Sequence, residues 1–146
     1  MHRSNRLAWS AIVLVGVALP CSSFADDQDA RDYRSSVMKS MGEEVAALNQ
    51  IAAGKASAAD VAVHADVLRI TAGLAKVAFK EKVAGGQSKP EVWTKWDEFS
   101  KRLDEMVAAT TDLAKTAKQG GVTAVTPKLN ALSCKGCHDE YMVQKK

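Results

Sequence analysis

The chain has 146 residues, which bounds it to a single domain, and 47% of them are hydrophobic. Lys and Arg number 20 against 17 Asp and Glu, a net charge of +3, too small for the basic stripe that nucleic-acid binding needs. No segment shows sustained two-residue alternation, so the composition and pattern point to an all-α protein.

Residues 1–25 read as an export leader rather than as fold. Arg3 and Arg6 form a basic start, Leu7 to Leu19 is apolar, and Ser23-Phe24-Ala25 is a small-x-small cleavage site before Asp26 and Asp27. Thirteen apolar residues are short for a bilayer span. Acylation at Cys21 is the competing reading, and Pro20 makes it a poor processing site. Cleavage after Ala25 would leave residues 26–146 as one domain in the bacterial periplasm, with no stable membrane insertion. It would also remove Cys21, so that Cys134 and Cys137 are the remaining thiols, with none spare for a disulfide.

Gly54, Gly85-Gly86 and Gly120-Gly121 divide the rest into four segments. The first runs from about Gln28 to Ala53, with Tyr33, Val37, Met41, Val45, Leu48 and Ala52 stepping by three or four. The second opens on Ser57-x-x-Asp60, a weak capping box, and carries Val61, Ala65, Leu68, Ala72, Ala75 and Phe79 on one face. Val67, Ile70, Leu74 and Val77 widen that face, which predicts burial on more than one side. Pro90 suits the first turn of the third helix; Val92, Trp96, Phe99, Leu103, Met106, Thr110, Leu113 and Ala117 then make a four-three seam. Thr126-Pro127 reads as the cap and first residue of the fourth, leading through Leu129 and Leu132 to the C-terminal motif. Short connections make neighbours antiparallel, so the prediction is an up-down-up-down four-helix bundle.

The motif is Cys134-Lys135-Gly136-Cys137-His138. Two thiols three apart on a helical turn can add across the two vinyl groups of a haem, and the following His comes under the iron as an axial ligand. A thioredoxin-like dithiol should follow a strand, and none is indicated here. A structural zinc site wants four ligands, and no second Cys/His pair completes one. One covalently bound haem c is therefore expected, with Cys134 and Cys137 as its attachment points and His138 on its iron.

The topology also predicts a level for the iron. His138 lies roughly 9 Å before the end of helix four, and Met38 roughly 15 Å into helix one, at about 1.5 Å per residue. Phe79 near the end of helix two and Trp93 and Trp96 at the start of helix three reach the same level. His64 sits at the other end, so a surface or flank imidazole is expected there rather than a ligand.

An exported four-helix chain with CxxCH near its C-terminus resembles the class II cytochromes c, the family of cytochrome c prime and its low-spin, methionine-ligated relatives. Tyr33-Arg34-x-x-x-Met38-Lys39, Gly54-Lys55, Lys89-Pro90-Glu91-x-Trp93 and Cys134-Lys135-x-Cys137-His138 carry the resemblance, which covers the whole mature chain. It implies two readings of Met38: the sixth iron ligand, as in the low-spin branch, or a packing residue over an open distal face, as in the c prime branch. It also implies that Arg34 pairs with a haem propionate, where the plain reading is a solvated helix arginine. Phe79 is expected to touch the haem ring. Where the family usually carries Arg or Lys four residues after the haem His, this chain has Met142.

The expected function is single-electron transfer between periplasmic redox proteins, with iron held by His138 and Met38 and no chemical conversion. The alternative is a five-coordinate protein that binds nitric oxide or another diatomic gas. A peroxidase would want a distal His or a second haem, and neither is present. The chain is expected to be a monomer or a homodimer; family members pair through helices one and two, a face without an unmistakable apolar excess in the sequence.

Overall fold

The computed structural model describes residues 27–144; the expected leader, its cleavage site and Cys21 lie outside them. The elements in order are α1 (Asp27–Ala52), a 3-10 turn (Ala58–Asp60), α2 (Val61–Lys80), the short α3 (Glu91–Thr94), α4 (Trp96–Asn130) and α5 (Cys134–Tyr141). Among the described residues β structure is limited to two isolated bridges, Gly85 with Ser88 and Ser88 with Met142.

The four-helix bundle is as expected once α4 is seen as two legs. Gly121 has φ 59° and ψ −156° within it, a region open essentially to glycine alone. The helix reverses there. Asp112 and Lys128 would stand about 24 Å apart along one straight helix, yet their side chains form an ion pair. Leu113, Ala114 and Ala117 from one leg share a core cluster with Val125 and Leu129 from the other. Helix three of the bundle is thus the first leg, preceded by α3 and broken from it at Lys95 (φ −118°, ψ 42°). Helix four is the second leg continued by α5.

The start of the fourth helix corrects the sequence reading. Thr126 does not cap it: its hydroxyl donates to the Val122 carbonyl at 2.9 Å, inside a helix that already runs from Gly121. Pro127 therefore lies inside the helix, in its second turn, rather than at its first position. At the second helix, Ser57 does cap, accepting from the Ala59 N–H at 3.3 Å, but it caps the 3-10 turn, and Asp60 makes no side-chain cap bond.

One face of α2 is as expected, with Val61, Ala65, Leu68, Ala72, Ala75 and Phe79 all buried. Of the widened face only Val67 is half-buried. Val63, Ile70 and Val77 are 62%, 53% and 59% exposed, and Leu74 is exposed as well. A helix packed against α1 and α4 is covered on that side alone, and the stripe 63–70–74–77 points away from both.

The core divides into two clusters along the bundle axis. One joins Leu48, Ile51, Val61, Ala65, Leu68, Leu113, Ala117, Val125 and Leu129 at the end where α1 finishes and α4 reverses. The other joins Val37, Ala75, Ala78, Phe79, Val92, Phe99, Leu103 and Tyr141 at the opposite end. Here Phe79 meets Phe99 edge-on at 5.2 Å between centroids, and Phe99 meets Tyr141 at 4.9 Å. No described helix is long and apolar enough to cross a membrane.

Candidate functional site

The second cluster borders a cavity of about 870 Å³, toward the upper end of the roughly 300–1,000 Å³ typical of ligand and cofactor sites. Cys134, Cys137 and His138 line it from α5, Arg34, Met38 and Met41 from α1, Phe79 from α2, and Phe99, Leu103 and Met106 from α4. All six candidate residues of the sequence reading therefore meet at one cavity. His64 does not line it. Its Nδ1 stands 2.7 Å from Glu44 Oε2, a pair on the flank of α1 and α2.

Cys134 and Cys137 are free, half-buried thiols on consecutive turns of α5. Burial pushes both above the ordinary thiol range; at Cys137, Arg102 opposes the rise, while Glu140 and Cys134 add to it. Both line the cavity as protonated thiols, each with an S–H that thioether formation with a vinyl group would consume. His138 is held through its backbone: its carbonyl accepts from the Met142 N–H and from Gln144 Nε2, both at 3.0 Å.

Arg34 is buried rather than a solvated helix arginine. It is 3% exposed, and neither Nη1 nor Nη2 has a hydrogen-bond partner. Its guanidinium lies over two aromatic rings, 5.0 Å from Trp93 and 5.6 Å from Phe79. Trp93 is locked there by its indole N–H, which donates to the Phe79 carbonyl at 3.1 Å. Burial, and secondarily Arg31, lower the Arg34 pKa. An arginine stays charged through such a shift, so a buried cation with two free N–H edges borders the cavity. Buried charge of this kind calls for an anion. A haem, with an apolar ring and carboxylate arms, fits the donor set, the apolar walls and this cation together.

Met38 is half-buried one turn beyond Arg34 and lines the cavity. Met41, one turn further along α1, also lines it. Met106 and Met142 complete a set of four methionines around the same space. The sequence reading missed the strap of residues 85–88 at the cavity mouth and the flanking Arg31, Arg102 and Glu105. No spacing signal marks them, because the strap is irregular and the three charged residues look like ordinary solvated helix positions.

Comparison with known proteins agrees with this geometry. The family described as Cytochrome C' matches residues 29–142. A cytochrome c prime of Pararhodospirillum photometricum is 32% identical over 116 residues, covering 75% of this chain and 93% of that protein. Ferric cytochrome c prime from Alcaligenes xylosoxidans superposes with a TM-score of 0.77 at 27% identity, over 84% of this chain and 99% of the other. A ferrous variant of that protein with bound NO gives the same score, identity and coverage.

Proposed function

On the premise that the chain belongs to the cytochrome c prime family, whose members carry covalently bound haem c, we propose that it is an exported haem protein that binds a diatomic gas such as nitric oxide on the α1 side of the haem. The observation that carries this reading is the cavity itself, which has attachment chemistry on α5, an anion-seeking Arg34 on α1 and an apolar wall of Met38, Met41, Leu103 and Met106. Residues 1–25 would direct export and be removed, leaving residues 26–146 as the haem domain in the periplasm. Cys134 and Cys137 would each form one thioether, and His138 would take the iron on the proximal side. Arg34 would pair with a propionate, and Phe79 would pack against the ring edge. Bound there, the haem supplies an iron that exchanges one electron and accepts a small axial ligand.

Around Met38 the apolar lining comes from Met41, Leu103 and Met106, while Arg34, Ser35 and Lys39 also border the cavity from α1. No chemical conversion of a ligand bound there is proposed. A relative with NO bound supports the same reading. Met38 supports a second: its thioether lines the cavity from α1, so it can serve as a sixth ligand and make the protein an electron carrier with periplasmic partners. Optical and EPR spectra of the purified ferric haem protein separate the two. A high-spin, five-coordinate iron that takes up nitric oxide without displacing a ligand fits gas binding, and a low-spin iron with a sulfur-to-iron band in the near infrared rejects it.

The exposed stripe of α2 supports a homodimer. Val63, Ile70, Leu74 and Val77 repeat at near-heptad spacing over about 21 Å of helix, and a second copy offers the same stripe in return. Sedimentation of wild type and Leu74→Asp tests this: the wild type should run as a dimer and the variant as a monomer.

A further inference from the structure

Four carbonyls at the end of an α-helix have no partner within it, and in α5 these belong to His138, Asp139, Glu140 and Tyr141. The first is satisfied by Met142 and Gln144. The other three are satisfied by one residue fifty positions away in the chain. Lys89 Nζ donates to the Asp139 carbonyl at 2.9 Å and to the Glu140 carbonyl at 3.0 Å, and the Lys89 backbone N–H donates to Tyr141 at 2.9 Å. The contact is extended by Val143, whose N–H donates to the Gln87 carbonyl at 2.8 Å, and by the bridge between Ser88 and Met142.

The other half of the same loop is tied to the opposite wall. Arg31 Nη1 donates to the Ala84 carbonyl at 3.2 Å, and the Arg31 stem packs against Gly85 and Gly86. Arg31 is on α1, two turns before Met38. Residues 84–89 therefore form a strap whose one end holds α1 and whose other end holds the last turn of α5, across the mouth of the cavity.

We infer that Lys89 is a positioning residue for His138, fixing the helix that presents the imidazole and, through the strap, the separation between that helix and Met38 on α1. The inference rests on the reading of His138 as the iron ligand. A cation at a helix C-terminus is favourable in itself, but capping of three successive carbonyls does more, since it removes the freedom of the last turn to fray. Fraying there moves His138, whose own carbonyl belongs to the same set of four.

The test uses the haem-loaded protein and four chains: wild type, Lys89→Met, Lys89→Arg and Lys95→Met. Lys95 approaches the Glu140 carboxylate at 3.8 Å, so its replacement removes an equal charge from the same helix end without uncapping a carbonyl. Lys89→Met should raise amide exchange at residues 139–142 by about tenfold and should change the EPR spin-state ratio and the carbon monoxide association rate. Lys89→Arg should restore most of each change, and Lys95→Met should leave all three near wild type. The inference fails if Lys89→Met keeps the wild-type exchange rates and EPR spectrum, or if Lys95→Met shifts them equally, which would assign the effect to charge. Should Lys89→Met not accumulate with haem, Lys89→Gln keeps an uncharged amide donor on a shorter side chain, and it must show an intermediate shift in the same readouts or the inference is rejected. A wild-type EPR spectrum without histidine-ligated iron would reject the assignment of His138 instead, and exchange at 139–142 would still report on the cap.

Discussion

The two ends of the bundle are built on opposite plans. Where α1 finishes and α4 reverses, Leu48, Leu68, Leu113 and Val125 are almost completely buried and meet one another directly. Aromatic rings are absent from that cluster, and its rim is tied by Asp66 to Lys118 and Arg69. At the other end aromatic rings and thioethers join the aliphatic side chains, the only buried charge among the described residues is Arg34, and the side chains surround a space rather than fill it. A close-packed interior leaves few voids larger than a water molecule. One end is thus closed by its own side chains, and the other is shaped for a guest. The same four helices serve both, so stability and function can be altered separately along one axis.

The sharpest way to break this comparison is at the attachment point. With Cys134 and Cys137 both replaced by Ala, covalent haem should be lost entirely, read by intact mass and by retention of colour after acid-acetone extraction. A protein that keeps covalent haem without both thiols would remove the basis for assigning a function to the open end.

Next in size is a matched pair of truncations. Leu113→Ala at the closed end should cost about 2–5 kcal/mol in denaturant unfolding and leave the haem spectrum alone. Met38→Ala at the open end should do the reverse. Its cost in stability should be small, because it enlarges a space already present, while carbon monoxide association should accelerate or the iron should change spin state. Equal stability losses would mean that the ends are not distinct.

Arg34→Met gives a change of sign. In protein without haem, removing a buried cation that has no hydrogen-bond partner should stabilise by about 1–3 kcal/mol. In the haem-loaded protein the same substitution should destabilise, since a charge-assisted pair is lost. Urea unfolding of both forms measures it, and a loss of stability in both would show that the guanidinium is held by its aromatic neighbours rather than by an anion.

The smallest effect concerns acid. Lys118 first, and then Arg69, hold the Asp66 carboxyl below its ordinary pKa of 3.8. A depressed folded-state value means stabilisation that is complete above the ordinary value and is lost as the pH falls through the folded one. Asp66→Asn should therefore shallow the acid limb of a stability-against-pH curve below about pH 4 while leaving the haem spectrum unchanged.

The closed end was easier to read in the sequence than the open one. The four-three seam of α4 and the inner face of α2 follow from spacing alone, since each is decided within one helix. Ile70, Leu74 and Val77 misled because periodicity shows which residues share a face, not whether a partner covers it. At the open end the haem motif is local and was legible, as were Met38 and Arg34 through family resemblance. The strap was not. Lys89 and Tyr141 are far apart in the chain, and nothing in either segment announces a hydrogen bond between them.

The reversal at Gly121 bears on how the molecule acquires its shape in time. The two legs of α4 meet without a loop between them, and the entropic cost of closing a connection grows with its length. The pairing of Leu113 and Ala117 with Val125 and Leu129 is therefore the cheapest long contact available to the unfolded chain, and it needs no cofactor. This helical hairpin should be native-like in the folding transition state, with Leu129→Ala slowing refolding more than Phe79→Ala does. The closed end would then stand before the guest arrives, holding the fourth helix in line while the residues beyond it wait for haem.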